Sequence, residues 1–270
     1  MLKGLRKMIF DKFREKIDRE LYPHPVIQNN PYTKWFKLGL ANDEQVKDLL
    51  IQFSVFSMWF LVIECERMAR AAGTPSERAS RIILASELGV GLNLNTHDIE
   101  GEKFSHSDAH IEWLRKMGDP LGIDRAILGR WERAHDSTKK FLKNLKFVYA
   151  NSDSNVGAGA SFAIESWAGF GIGRGILEEQ NNFWNELLAG LKKYNEKRRA
   201  EKLEPIYDGF FRYHFALESG HVANVEDELK EIFSSPDFNG RKWFYGARKA
   251  LDAIYIFWTG LDEARRALEK

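Results

Sequence analysis

Apolar residues recur at helical spacing along almost the whole chain, and this periodicity limits the possible folds more than any other feature. Glycine and proline separate the periodic segments, and no segment alternates convincingly between apolar and polar residues as a half-buried strand would. We therefore predict an all-α fold, a bundle of about eight helices. The chain has 270 residues with no internal repeat and no linker that would divide it. It is accordingly predicted to form a single domain, residues 1–270.

Capping residues and glycines predict the bounds of the longer helices. A long helix is expected over about residues 43–72, capped by Asn42 or Asp43, and another over about residues 124–150. A further helical segment is predicted to begin near residue 155 and to run toward residue 184. Residues 90–104 are rich in glycine and asparagine and are predicted to form a loop.

Charge and cysteine content exclude several classes of partner. The 40 basic and 39 acidic residues nearly cancel, and no block of like charge predicts a nucleic-acid or acidic-membrane partner. The single cysteine, Cys65, rules out an internal disulfide framework and fits a reducing cytosol. Charged residues interrupt the N-terminal segment, so it is not a signal peptide. Residues 53–63 are too short to span a bilayer and are expected to be a buried core helix, in a cytoplasmic protein without a membrane partner.

The segment YHFALESGHVAN places His214, Glu218 and His221 at positions i, i+4 and i+7. On an α-helix these three side chains leave the same face. Two imidazoles and one carboxylate form half of a metal site of the N/O type that suits iron, manganese or zinc. The alternative is a polar helix face with solvated histidines, but the many aromatic residues of this segment favour a buried helix and hence a metal.

Two glutamates lie in apolar helical segments. Glu165 occurs in GAGASFAIESWAGFGIG, where a carboxylate must bind a metal, be protonated or pair with a base such as Arg174. Glu64 ends the most apolar helix and is a second candidate ligand. Glu66 is the weaker alternative, because Arg70 at i+4 offers it a surface salt bridge.

The remaining candidates lie on either side of the glycine- and asparagine-rich loop. Glu87 ends a helix in LASELGVG, where an ordinary surface glutamate is a serious competitor. His110 opens the amphipathic helix HIEWLRKM, and this placement favours it over His97 and His106. The chain has no HExxH motif and no serine in a nucleophile-elbow context, which argues against a zincin-type protease and a serine hydrolase.

Taken in order, these segments resemble the haem-oxygenase-like diiron oxidases and oxygenases over roughly residues 20–225. HPVIQNNPYTKWFKLGL is similar to the family's opening, and SELG matches its Glu-x-Gly through Glu87. His110 precedes a helix that ends in a Leu-Gly turn, and Glu165 follows it by 55 residues, as is typical of the family. HFALESGH corresponds to the family's His-x-x-x-Asp-x-x-His, with Glu218 at the aspartate position. About a dozen extra residues between Glu87 and His110, and an insertion around KKYNEKRRAEKLEP, depart from the family pattern.

The resemblance implies a haem-oxygenase-like fold, two Fe²⁺ ions per chain, O2 as co-substrate and a small-molecule substrate. The implied reactions are oxidative C–C cleavage or decarboxylation of a carboxylate, or N-oxygenation of an amine. Arg174 or Arg212 could hold a substrate carboxylate, although a salt bridge competes for each. The implied ligands are His110, Glu165 and Glu64 on one iron side, His214, Glu218 and His221 on the other, and Glu87 as a mobile, catalytic extra ligand.

Two other classes of function stay open at this point. Pyrroloquinoline quinone synthase and thiaminase II share the fold without a diiron centre, although the complete ligand set argues against both. Thiaminase II also uses a cysteine on a later helix, whereas Cys65 lies on the long core helix. The third class is a non-catalytic interaction protein. The sequence does not name the substrate, and it leaves a homodimer open.

Overall fold

Eleven α-helices and no β-strand make up the part of the chain that the structure describes, which confirms the all-α prediction. The structure is a computed structural model; it describes residues 2–93, 98–172 and 181–269, with the backbone alone for residues 2–7, 75 and 218–225. The helices are α1 (Leu2–Glu20), α2 (Pro25–Gln28), α3 (Pro31–Phe36), α4 (Asp43–Arg70), α5 (Pro75–Glu87), α6 (His110–Gly118), α7 (Asp136–Tyr149), α8 (Ser154–Ala168), α9 (Phe183–Ala200), α10 (Gly209–Phe233) and α11 (Gly240–Ala267).

Helix α4 begins where its capping residues predict. The Asn42 side chain accepts a hydrogen bond from the Gln45 backbone N–H, and the Gln45 side chain accepts one from the Asn42 backbone N–H, each at 2.9 Å. This reciprocal capping box satisfies two N–H groups that the first turn leaves without partners. Asn42 is therefore the cap, and α4 extends to Arg70, close to the predicted end.

The predicted helix over residues 124–150 is wrong in its first half. Asp124 caps a short 3₁₀ turn, Arg125–Ile127, and α7 begins only at Asp136. Between them Gly129 has φ +81°, a left-handed conformation that a helix cannot contain. A Cβ atom at Gly129 would lie 2.5 Å from Cγ of Met58, so the turn is shaped by its contact with α4.

Helix α8 ends at Ala168, well before the predicted end near residue 184. Gly171 has φ +87°, which breaks the helical path. The Asn182 side chain then caps α9 by accepting from the Trp184 backbone N–H at 2.9 Å. The same amide donates to the carbonyl oxygens of Ala168 and Phe170, which ties the end of α8 to the start of α9.

Helix α4 is, within the described ranges, the one helix long and apolar enough to cross a bilayer by length and composition alone. More than half of its most apolar stretch is buried by other helices of the fold. The buried pair Glu64 and Arg67 lies on the same helix. Burial inside the bundle therefore accounts for the apolar composition, as in a core helix.

Helices α8 and α11 approach each other so closely that glycine is required at the contact. A Cβ atom at Gly159 would lie 2.0 Å from the Trp243 carbonyl oxygen, and one at Gly246 would lie 2.0 Å from the Val156 carbonyl oxygen. No real Cβ contact is that short, so either substitution must separate the two helices. The small residues of GAGAS in α8 thus serve helix packing.

Gly246→Ala is expected to lower the free energy of unfolding by about 1–3 kcal/mol, because overpacking outweighs the better helix propensity of alanine. Chemical denaturation followed by circular dichroism at 222 nm measures the change. Lys249→Ala on the exposed side of α11 is the control, and we expect it to leave stability nearly unchanged. Equal stability of Gly246→Ala and the wild type would contradict the close-packing interpretation.

Candidate metal centre

Glu87, His110 and His214 converge on one point inside the bundle. One ligand atom from each lies within 4.8 Å of the other two. Oε1 of Glu87 is 2.9 Å from Nδ1 of His110 and 3.8 Å from Nε2 of His214. Both histidines are buried. The residues come from α5, α6 and α10, so three separate segments of the fold build this cluster.

A tight turn at the end of α5 brings His110 to Glu87. Gly89 has φ +102°, and a Cβ atom there would lie 2.3 Å from the Ser105 carbonyl oxygen and 2.8 Å from the Ala109 backbone nitrogen. The Ser105 N–H donates to the Gly89 carbonyl oxygen at 2.8 Å. Glycine in this position therefore lets the returning chain pass directly beside α5, and His110 follows as the first residue of α6.

The ring of His214 presents Nε2 to the cluster. Nδ1 lies 2.8 Å from the Phe210 carbonyl oxygen, and because a carbonyl oxygen only accepts, Nδ1 must donate. In the neutral ring this leaves the lone pair on Nε2, the atom that faces Glu87. Trp184 stacks on the ring at a centroid distance of 4.9 Å and an interplanar angle of 25°. The carbonyl and the indole together fix both the tautomer and the orientation.

His110 has two buried ring nitrogens that make no directed hydrogen bond in the described chain. Nδ1 is close to Glu87, but the contact is not directed as a hydrogen bond, and neither Nδ1 nor Nε2 has a hydrogen-bond partner among the described residues. Trp113 stacks on the ring at 5.1 Å, with an interplanar angle of 21°. An imidazole held in place with unsatisfied nitrogens carries a free-energy cost unless another group binds it.

The electrostatics of the cluster favour a deprotonated Glu87 and a neutral His214. Burial alone would raise the pKa of Glu87, but the imidazoles of His110 and His214 hold the pKa of this carboxyl well below its usual range. Burial lowers the pKa of His214, although Glu87 opposes the change. A deprotonated carboxylate and a neutral imidazole are the protonation states that coordinate a cation.

Glu165 faces the same space as the cluster from α8. It is 6% exposed and lines a cavity together with Glu87 and His214. The cavity thus has three candidate ligands on its wall, contributed by α5, α8 and α10. The structure therefore brings four of the sequence candidates to one region: Glu87, His110, Glu165 and His214.

Glu64 is fully buried and already paired. Its Oε1 is 3.2 Å from Nη1 of Arg67, whose Nη2 lies 3.3 Å from Oε1 of Glu228. The Arg67 guanidinium also lies 4.9 Å from the centre of the Tyr149 ring. Burial raises the pKa of Glu64, an effect that Arg67 opposes and Glu165 strengthens. Glu64 therefore lies near Glu165, and Arg67 balances the charge of Glu64.

The burial of the side chains distinguishes between the alternative site residues that the sequence left open. His106 is exposed and lies beside Glu112, whereas His110 is buried. Glu66 is partly exposed and forms ion pairs with Arg70 and Lys146 at 2.9 and 2.7 Å. Arg212 is exposed and pairs with Asp208. The candidates whose side chains lie outside the described residues are His97, Arg174, Glu218 and His221.

Sequence analysis did not identify Arg67, Trp113 or Trp184 as parts of this region. Arg67 stands at i+3 from Glu64, a spacing that brings two helical side chains together, so the ion pair could have been predicted. Trp113 stands at i+3 from His110 in the same way. Trp184 lies on another helix, and no local pattern links it to His214.

No family model and no curated protein matches this chain. It is similar in structure to a CADD-like protein of unknown function from Nostoc punctiforme PCC 73102. One crystal structure of that protein aligns with a TM-score of 0.63 at 14% identity, over 97% of this chain and 98% of that one. A second gives 0.59 at 15% identity, over 99% and 98%. At this identity the likeness shows the fold alone, an all-α fold shared with that protein.

The donor set fits a divalent transition metal. Two imidazoles and a carboxylate form the combination that non-haem iron oxygenases use in their facial triads. The lone pair of His214 Nε2 and the Glu87 carboxylate face each other, an arrangement that needs a cation or a proton between them. The unsatisfied nitrogens of His110 lie beside them.

Proposed function

We propose that this chain is a non-haem diiron oxidase or oxygenase that activates O2 and acts on a small carboxylate or amine. The implied chemistry is oxidative C–C cleavage, decarboxylation or N-oxygenation. The observation that carries the proposal is the buried cluster of Glu87, His110 and His214 at the wall of a cavity that Glu165 also lines. The likeness in fold to the CADD-like protein is compatible with the proposal and adds no evidence on activity.

The cluster suggests a regrouping of the proposed ligands. Glu87, His110 and His214 would hold one iron, so Glu87 is a resident ligand in this scheme rather than a mobile one. Glu165 would be a ligand of the second iron. Helix α10 is continuous through Phe233, which places residues 218 and 221 one and two turns beyond His214 in the backbone register. Glu218 and His221 are therefore the proposed remaining ligands of the second iron.

The residues around the cluster have defined tasks in this proposal. Iron, when bound, supplies the capacity to reduce O2. Trp113 and Trp184 hold the imidazoles by stacking, and the Phe210 carbonyl keeps the proton of His214 on Nδ1, away from the metal side. Aromatic side chains on the cavity wall exclude water from the reacting groups. The Arg67 side chain balances Glu64, so that this buried carboxylate need not take a metal to be stable.

One observation favours a second candidate, a mononuclear iron enzyme. The only group of three such ligands in the described part of the chain is a two-histidine, one-carboxylate triad, and this set suffices for one iron. The ion pair of Glu64 with Arg67 engages one oxygen of a carboxylate expected for a second metal, while Glu64 Oε2 has no hydrogen-bond partner among the described residues.

Iron stoichiometry distinguishes these candidates. We expect anaerobic titration with Fe²⁺, followed by desalting and elemental analysis, to give two irons per chain for the diiron centre and one for the mononuclear centre. The loaded protein should then consume O2 in the presence of an accepted substrate from a panel of carboxylates and amines. Failure to retain iron, together with unchanged thermal stability on adding Fe²⁺, would contradict both and favour a metal-free or non-catalytic protein of this fold.

A further inference from the structure

The two histidines of the cluster are held in place by different means. Nδ1 of His214 donates to the Phe210 carbonyl oxygen, and this hydrogen bond fixes the rotation of the ring. His110 makes no directed hydrogen bond to a described residue through either ring nitrogen. Metal-binding histidines are usually oriented by a hydrogen bond from the ring nitrogen that does not bind the metal. In the described chain, the orientation of His110 depends instead on the packing of neighbouring rings.

Besides His214, three aromatic rings of the described chain contact His110. Trp113 stacks on it at a centroid distance of 5.1 Å and an angle of 21°. Tyr213 meets it edge-on at 5.3 Å and 73°, and Phe210 does so at 6.2 Å and 88°. Trp113 lies on α6 with His110, so this stack cannot fix the ring relative to His214. The contacts from α10 can do so, and Tyr213 is the closer of these two rings.

Tyr213 reaches all three segments that carry the cluster. Its ring meets that of Trp113 at 4.5 Å and 72°, so two residues of α6 pack against it. Its hydroxyl lies near Ser86, the residue before Glu87 on α5, and this neighbour opposes the rise in pKa that burial causes. On α10, Tyr213 directly precedes His214. One side chain therefore links α5, α6 and α10 at the point where their candidate ligands meet.

We propose that Tyr213 is a positioning residue for the metal centre, which holds the His110 ring where it can share a cation with Glu87 and His214. The inference rests on the proposed function, because it concerns the same cluster. The edge of the aromatic ring carries out this task, since edge-to-face contacts between rings are directional. Phenylalanine at this position should therefore preserve the role, and leucine, which has no ring, should lose it.

Titration of the metal-free protein with Co²⁺ alone, followed by visible absorption, tests the role. We expect Tyr213→Leu to weaken Co²⁺ binding by at least about tenfold, the lower end of the loss that changes around metal ligands cause. The shape of the Co²⁺ spectrum should also change, because a displaced imidazole alters the ligand geometry. Tyr213→Phe should match the wild type in both. Wild-type affinity and spectrum in Tyr213→Leu would overturn the proposal.

Phe215→Leu is the matched control for the loss of packing. Phe215 lies on α10 two residues beyond Tyr213, and both are partly buried against the core. The two leucine variants should lose comparable stability in urea, but only Tyr213→Leu should lose Co²⁺ affinity. An equal loss of Co²⁺ affinity in both would show that Tyr213 acts only through the stability of α10, which refutes a positioning role.

The position of His110 is also observable without a metal. The ring centroids of His110 and His214 are 4.6 Å apart, close enough for a nuclear Overhauser contact between their ring protons. Labelling the seven histidines with ¹³C keeps the spectrum simple, and His110→Gln assigns the signals. We expect the contact to persist in Tyr213→Phe and to weaken or vanish in Tyr213→Leu. An undiminished contact in Tyr213→Leu would show that Tyr213 does not orient the ring.

The metal-free measurement keeps the two proposals separate. If the contact between the histidine rings depends on Tyr213 but the protein retains neither Co²⁺ nor Fe²⁺, Tyr213 orients His110 and the proposed oxidase function fails. If the protein binds two irons per chain but Tyr213→Leu matches the wild type in Co²⁺ affinity and ring contact, the diiron function stands and the positioning role is wrong.

Discussion

Replacing His214 with alanine is expected to abolish O2-dependent turnover and to lower the iron content of the protein while the helical fold persists. His214 Nε2 is one of three candidate ligand atoms at the cluster, and the substitution removes it together with the ring contacts to Phe210 and Trp184. Phe211 and Leu217 on the same helix stay buried and keep it packed in the core. Loss of one ligand should reduce retained iron by at least about tenfold at limiting metal, since even outer-shell changes cost 10- to 100-fold in affinity. Elemental analysis, O2 consumption and circular dichroism measure the three quantities.

His106→Ala is the matched control for this experiment. His106 is exposed and lies outside the cluster, so its removal should leave iron content and turnover as in the wild type. Glu218→Asp complements both, because it introduces the residue more typical of the resembling family and should still bind iron. Full iron content and full activity in His214→Ala would show that the histidine and glutamate stripe is a polar helix face.

Replacing Arg67 with leucine is expected to give the largest loss of stability of any single charge removal proposed here. Arg67 is 3% exposed and is the counter-ion of both Glu64 and Glu228, so its loss strands two buried carboxylates. Removing one partner of a buried ion pair typically costs about 3–5 kcal/mol. Urea denaturation of the metal-free protein measures the change without a contribution from iron.

Two companion variants test the cause of that loss. Arg70→Leu on the same helix breaks an exposed pair with Glu66 and should cost at most about 1 kcal/mol. Adding Glu64→Gln to Arg67→Leu removes one stranded charge and should restore part of the stability. If the double variant is no more stable than Arg67→Leu alone, uncompensated charge is not the reason for the loss.

The sequence predicted the long helices well where local signals determine them. Asn42 and Gln45 form a capping box that needs no tertiary contact, so the start of α4 could be placed within one residue. The prediction of a helix directly after Asp124 failed because the residues there are compatible with a helix in their local pattern. The turn at Gly129 is decided by its contact with Met58 on another helix, which no local pattern encodes.

The candidate site residues also divide into those that local sequence patterns identify and those that depend on contacts between distant segments. The spacing on α10 and the apolar setting of Glu165 pointed to buried polar groups from the residues alone. The proximity of Glu87 to His110 could come only from the family resemblance, because the loop between them hides it in the sequence.

The isolated β-bridge between Val90 and Phe104 brings together the two ends of the segment between them. The chain leaves and re-enters the core at nearly the same place, where Gly89 accepts from Ser105. The entropic cost of closing a loop grows only with the logarithm of its length, so residues can be added to this segment at little cost in stability. The contact of Glu87 with His110 therefore does not depend on the length of this segment, which offers a position for a label or an inserted sequence that leaves the candidate metal ligands in place.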